Sequence, residues 1–313
     1  DHRDLHSFPP RRSSDLPDYI IPKPCDPRLI LRVAPAVAEA AMETGVARIP
    51  ITDWGMYREE LSKRMGLGSP IIRQIKSKAQ HDPKTIVFAE AENYKILKAA
   101  EISMQEGIAH PILLGNESLV RKMIQEHELE LEGVEIIDPR SEKEKERRMG
   151  FARQFHEKRC RKGVTLQVAC ERMHHRNYFG PMLVDSGYAD GMVSGLTTSY
   201  PDTIRPALQV IGKKEPWSIV SGMYMLNTSR GQLFFADTTV NMNPSPEIMA
   251  EITLQVAEAV KNFGIEPRVA IVSYSNFGSV KGAIPEKVQQ AVSLLHRYHP
   301  ELIMDGEIGR AHV

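Results

Sequence analysis

YADGMVSGLTTSYPDTIRPAL, residues 188–208, puts small residues, hydroxyls and one arginine where a strand would hand over to a helix. The apolar runs Met182-Leu183-Val184 and Gly191-Met192-Val193 read as buried strand. Gly195 permits a turn that a side chain would resist. Thr197, Thr198 and Ser199 offer hydroxyls and backbone N–H groups, and Asp202, one residue past Pro201, caps or begins the helix that carries Arg205. Backbone donors at a helix start, with a guanidinium nearby, suit phosphate or pyrophosphate. A Gly/Ser/Thr loop that only joins two elements has the same local composition, so this stretch alone leaves both readings open.

On either side the pattern is α/β. TIVFA at 85–89 is a buried strand, 94–104 a helix, HPILL at 110–114 a second strand, 117–127 a helix and 134–137 a third strand. That alternation predicts right-handed βαβ units, a parallel sheet and ligand sites at the strands' C-terminal ends. Residues 141–162 read as one long charged helix with Phe151 and Phe155 inward, ending in the basic run Arg159-Cys160-Arg161-Lys162. Further on, 218–226 and 232–236 read as paired strands, 247–263 as a helix and VAIVS at 269–273 as a buried strand. SYSNFGSVKG at 273–282 follows, in which Ser275, Gly278 and Ser279 form a second small-residue loop of phosphate type, then a helix at 285–299 and a strand from 302.

The N-terminal part is different. Residues 29–44 carry helical spacing and end at Gly45, a C-cap. Residues 19–21 read as a short strand, stopped by Pro22, Pro24 and Pro27. Residues 53–66 read as a charged helix with Trp54, Tyr57, Leu61 and Met65 on one stripe, and 69–80 as a basic helix. DHRDLHSFPPRRSSDL at 1–16 and IGRAHV at 308–313 break from their surroundings and read as non-native tails resembling translated adapter DNA.

Composition bounds the class. The 313 residues accommodate two domains, and 42% hydrophobic with 26% charged residues is the make-up of a soluble globular protein. Forty basic residues balance forty acidic ones, so no overall field recruits nucleic acid or a membrane surface. Cys25, Cys160 and Cys170 have neither disulfide-framework nor zinc spacing, which fits a reducing cytoplasm. No apolar run approaches the roughly 18 residues of a membrane span. His174 and His175, read as neighbours on a helix, do not face one site, so no metal is expected.

ADGMVSG followed by DTIRPAL, FADTTVN at 235–241 and SYSNFGS at 273–279 are similar to motifs of the phosphate acetyl/butyryltransferases, a resemblance covering about residues 66–307. IIPKPCDPRLILRVAPAVAEAAMETGVAR at 20–48 resembles the closing segment of the NAD(P)-binding domain of bacterial malic enzymes. The pair together resembles a hybrid malic enzyme. The resemblance implies an α/β fold with two lobes, mostly parallel sheets flanked by helices, and a cleft between the lobes. It implies tails at 1–16 and 308–313, the end of the malic domain at 17–52, connector helices at 53–84, and acetyltransferase-like lobes at 85–215 and 216–307. The spacing of Arg159 and Arg205 matches two arginines that the family uses on CoA and acyl phosphate; Ser199, Ser275, Gly278 and Ser279 join them as expected ligands.

The first turn, Glu90 to Lys95, lacks the family's Gly and Arg. The family's general base and the Ser-Arg pair before it would lie beyond residue 307. Asp237 and Asp305 are loop carboxylates expected to cap or turn the chain.

Two functions follow from the resemblance. In one, the parent oxidatively decarboxylates malate to pyruvate with NAD(P) and a divalent metal, Mg or Mn, at a site upstream, this fragment being inactive alone and binding no cofactor. Its acetyltransferase-like part then binds acetyl-CoA as a regulator and aids homo-oligomerisation. In the other it is an active phosphate acyltransferase, moving an acyl group between CoA and phosphate. A structural oligomerisation module is the third possibility.

Overall fold

The computed structural model describes residues 27–64, 70–214, 217–228 and 231–309. The readings at 1–16, at 17–26 with its strand and Cys25, at Met65 and at 310–313 lie outside the described residues. In chain order the elements are α1 (Pro27–Glu43), α2 (Trp54–Arg64), α3 (Pro70–His81), β1 (Lys84–Phe88), α4 (Tyr94–Gln105), β2 (Ala109–Leu114), α5 (Glu117–Glu126) and β3 (Glu135–Ile137). They continue with α6 (Lys145–Arg159), α7 (Leu166–Arg172), α8 (Arg176–Asp185), β4 (Gly191–Val193), α9 (Tyr200–Val210), β5 (Tyr224–Thr228), β6 (Gly231–Phe235), α10 (Pro246–Asn262), β7 (Arg268–Ser273), α11 (Ala283–Tyr298) and β8 (Ile303–Gly309).

The chain divides into two compact units, one of residues up to Arg73 with Asn227–Gly231, the other of Gln74–Leu226 with Gln232 onward. In the first, α1 packs on α2. Gly45, in the left-handed region at φ 72°, returns its N–H to Met42 O and closes α1.

In the second unit, four parallel strands lie in the order β3-β2-β1-β4. Alternation along each strand sends residues to opposite faces. Val87, Ile112, Leu114 and Ile137 pack against Phe151 and Phe155 of α6 and Phe179, Met182 and Leu183 of α8. Phe88 and Leu113 pack on the other face against Leu97 and Ala100 of α4 and Val120 of α5. Each buried Phe or Leu contributes roughly 1.5–3 kcal/mol relative to exposure. Because both faces are covered, the strands read as near-continuous apolar runs.

The strands β7 and β8 form a second parallel pair, with Ile271 and Met304 packed on Val288, Ala291, Val292 and Leu295 of α11 and on Met249 and Leu254 of α10. β5 and β6 make a separate two-stranded sheet.

Three readings are corrected. Met182-Leu183-Val184 is the last full turn of α8, not strand; Met182 and Leu183 are fully buried, so the helix has no polar stripe there. The long helix at 141–162 is α6 between two 3₁₀ turns, Glu142–Glu144 and Cys160–Lys162. The strand expected from Ser218 begins at Tyr224. In addition Ile308 and Gly309, read as tail, pair with Val272 and Ser273 in β8.

Candidate functional site

Parallel pairing of β1 with β4 aligns Phe88 with Val193, so the loops leaving the two strands emerge side by side. Glu90 is two residues past the first strand and Gly195 two past the second. The Glu90 side chain, 1% exposed, fills the cradle that the 195–198 loop forms. Its Oε2 accepts the N–H groups of Gly195 at 3.0 Å and Leu196 at 2.7 Å. Its Oε1 accepts the Thr197 N–H at 2.8 Å, the Thr197 hydroxyl at 2.5 Å and the Thr198 hydroxyl at 3.1 Å. Gly195 sits at φ 114°, which lets its N–H turn inward. Burial alone would raise the Glu90 carboxyl, but the Thr197, Leu196 and Thr198 donors outweigh it and hold it at about 2. Donors of this loop do converge on an anion, but that anion is the chain's own Glu90 carboxylate, and Ser199 and Arg205 are not among its partners.

The same device recurs twice. Asp237 Oδ1 accepts N–H groups of Gly222, Thr239 and Val240 at 2.9, 3.0 and 3.2 Å, and Oδ2 accepts that of Asn241 at 2.7 Å. Burial opposes its ionisation, and those backbone donors still hold it at about 2. Glu307, 1% exposed, reaches the second small-residue loop: its Oε2 accepts from Gln289 Nε2 at 2.8 Å and Gly278 N at 3.3 Å, and its backbone O from Phe277 N at 2.9 Å.

Ser199 is the N-cap of α9; its Oγ accepts from Asp202 N at 3.4 Å and donates to Asp202 Oδ2 at 2.6 Å. Asp202 therefore stands in the first turn, not at the cap. Arg205, 61% exposed, lies 3.7 Å from Asp202 Oδ1. Ser199 and Arg205 thus share one carboxylate. Arg159 ends α6, and its Nε is buried without a hydrogen-bond partner. The preceding Lys158 bonds Val210 O at 3.2 Å. Arg159 therefore sits near the C-terminal end of α9, whose eleven residues rise roughly 16 Å from the Ser199 end. Among the described residues no hydrogen bond or ion pair joins Arg159 to Ser199 or Arg205.

Ser275 is fully buried and accepts from Val280 N at 3.1 Å, while Ser279 Oγ accepts from Asn276 N at 2.9 Å. Gly278, at φ 79°, provides the turn between them. Tyr200 at the start of α9 accepts a hydrogen bond from Thr239 at 3.1 Å, tying the start of α9 to the Asp237 loop.

Sequence reasoning missed a cavity beside the loops that leave the four-stranded sheet. A cavity of about 460 Å³ is lined by Glu92, Asn116, Asp138, Arg140, His174, His175 and Arg176, among others. His174 and His175 stand in the turn between α7 and α8, not on a helix, and both line this cavity. Arg140 and Arg176 gave no motif; their position after β3 and at the start of α8 was the available signal. Among the described residues no group of three or more His, Cys, Asp or Glu side chains is placed to hold a metal ion. None of the described helices is long and apolar enough to cross a membrane.

Comparison with known proteins gives a consistent family. The model of the phosphate acetyl/butaryl transferase family matches residues 70–310. The chain is 39% identical over 300 residues to an NADP-dependent malic enzyme of Haemophilus influenzae, a match that takes in 93% of this chain and 39% of that protein. It is 35% identical to a phosphate acetyltransferase of Clostridium acetobutylicum, covering 76% of this chain and 73% of the relative. Among solved structures, the EutD phosphotransacetylase of Staphylococcus aureus superposes with a TM-score of 0.67 at 35% identity, over 76% of this chain and 72% of that one.

Proposed function

The chain belongs to the phosphate acetyl/butaryl transferase family, and from that membership we propose that it is the acetyltransferase-like part of a malic enzyme, binding acetyl-CoA as a regulatory ligand. The observation that carries the malic-enzyme reading is extent: the acetyltransferase relative covers 76% of this chain, the malic enzyme 93%. The additional similarity takes in sequence outside the 70–310 acyltransferase region. The chain spans about two fifths of that malic enzyme's length, and the oxidative decarboxylation of malate to pyruvate, with NAD(P) and a divalent metal, belongs in this reading to the part not spanned.

On this reading Arg205 and Ser199, with the loop that carries Ser275, Gly278 and Ser279, engage the phosphates or acyl phosphate of the ligand. Arg159, at the end of α6, makes no hydrogen bond or ion pair with Ser199 or Arg205 among the described residues and is not counted with these ligands. The ligand-side donors need no base to bind acetyl-CoA. Homo-oligomerisation and a cytoplasmic setting complete the proposal.

The runner-up, catalytic transfer of an acyl group between CoA and phosphate, draws on the family's named activity and on the same anchors. Glu90 favours binding over turnover, because the N–H donors best placed to stabilise a developing oxyanion already hold a carboxylate. Calorimetry with acetyl-CoA, on wild type and Arg205→Ala, separates the readings when acetyl phosphate is assayed in the same samples. Binding weakened about tenfold by the variant, the effect of one lost charge-assisted contact, without acetyl phosphate formation, is expected. Turnover would establish the catalytic reading, and absence of binding would refute both.

A further inference from the structure

We propose that the cavity at the C-terminal edge of the four-stranded sheet is a site for a small phosphate ester, separate from the residues assigned to acetyl-CoA. Its walls come from the loops after all four strands: Glu92 after β1, Asn116 after β2, Asp138 and Arg140 after β3, and Thr198 after β4. The turn before α8 closes it with His174, His175 and Arg176. A crevice beyond the carboxyl ends of parallel strands is where open α/β sheets take ligands. None of Arg159, Ser199, Arg205 or the 275–279 loop lines it.

The charge on these walls is not symmetric. Both carboxylates are held by backbone or amide donors of the walls themselves: Glu92 Oε1 accepts the Asn116 N–H at 2.9 Å, Asp138 Oδ1 the Arg140 N–H at 2.9 Å, and Asp138 Oδ2 the Asn116 amide at 3.4 Å. Among the described residues neither acid makes an ion pair with Arg140 or Arg176, so both guanidiniums keep donors for a ligand. Arg140 is exposed, and its guanidinium makes no ion pair among the described residues. Arg176 donates to Thr197 Oγ1 at 3.1 Å and lies 3.9 Å from Glu90 Oε1, so one edge of its planar fork is fixed. A guanidinium held on one side is pre-oriented for a second partner.

The start of α8 adds to this. His175 is its N-cap and makes no side-chain cap bond, leaving first-turn N–H groups without a side-chain acceptor on the cavity's rim. Two guanidiniums and a helix start supply the donors that an oxyanion such as a phosphate group requires, the two wall carboxylates being turned to donors of their own. The volume, about 460 Å³, exceeds what a bare phosphate fills and lies in the range of small-molecule pockets, so the ligand class is a phosphate carried on a sugar or nucleoside.

The test is calorimetric titration of the 313-residue chain with ribose 5-phosphate, adenosine monophosphate, inorganic phosphate and ribose. Expected is binding of at least one ester, weaker binding of inorganic phosphate and none of ribose. Arg140→Ala, and separately His175→Ala, should weaken the ester by about tenfold or more, the effect of one charge-assisted contact. Arg205→Ala should leave ester binding unchanged, and Arg140→Ala should leave acetyl-CoA binding unchanged, so this inference and the acetyl-CoA reading fail separately. Failure of both esters to bind overturns the proposal. So does ester binding indifferent to both Arg140→Ala and His175→Ala, or lost in Arg205→Ala alone. Inorganic phosphate binding as tightly as the esters would also overturn it, since the rest of the cavity would then contribute nothing.

Discussion

Glu90 does for the 195–198 loop what a bound anion would do, gathering N–H and hydroxyl groups that would otherwise have to find water. Every group facing it is a donor, so Glu90→Gln would turn an –NH₂ toward donors and leave part of the loop unsatisfied. The carboxyl's fall from 4.5 to about 2 corresponds to about 3 kcal/mol of folding stability at neutral pH. Its folded value is depressed, so the contribution is complete above the unfolded value and fades as pH falls toward the folded one. The urea midpoint of wild type should therefore drop more steeply between about pH 5 and pH 3 than that of Glu90→Gln, which should start lower. Parallel slopes would show that no ionised carboxylate sits in the cradle. Sequence could propose the cradle, since Gly195 and the Thr197–Thr198–Ser199 run are local signals. It could not show its occupant, which comes from 105 residues away and meets the loop only because two strands pair in parallel.

At the scale of the element, α9 shows how a cap and a ligand role can be separated. Ser199 caps the helix, and Asp202, three residues on, accepts a hydrogen bond from its hydroxyl. Ser199→Ala should lower stability by about 1 kcal/mol, read from the urea midpoint. Ser199→Asp keeps a capping oxygen and should hold most of that stability, yet it places a second carboxylate beside Arg205 and should weaken acetyl-CoA. Unchanged acetyl-CoA affinity in Ser199→Asp would reduce Ser199 to a cap. Elements with their own signals were legible in this way: strands β1, β2 and β7 through apolar runs, α10 and α11 through their spacing. Met182-Leu183-Val184 was not, because a helix buried on all sides and a central strand give the same short apolar run. The packing that decides it is tertiary: a Cβ on Gly180 would come within 2.6 Å of Met192 Sδ, so α8 lies close against β4 and a larger residue there would have to displace the Met192 side chain.

At the scale of the whole chain, the three apolar clusters lie between Ile86 and Met304, and none draws a residue from before α3. The family match begins at Pro70, the first residue of α3, within the stretch expected to hold connector helices. Burial of these clusters supplies the main favourable term for folding. A chain beginning at Pro70 should therefore melt cooperatively, within about 5 °C of the 313-residue chain, a shift of only one or two kcal/mol for a domain of this size. Its acetyl-CoA affinity should also be kept, because Ser199, Arg205 and the 275–279 loop all follow residue 70. Thermal unfolding by circular dichroism and calorimetry on the same preparation make both comparisons. A chain from Pro70 that aggregates or unfolds without a transition would mean that residues before α3 complete a core the three clusters do not, and the division at Arg73 would then mark a dense part of one folding unit. A cooperative melt with acetyl-CoA binding lost would instead assign those residues to the ligand, which is what a regulatory region joined to a catalytic one would require of its connector.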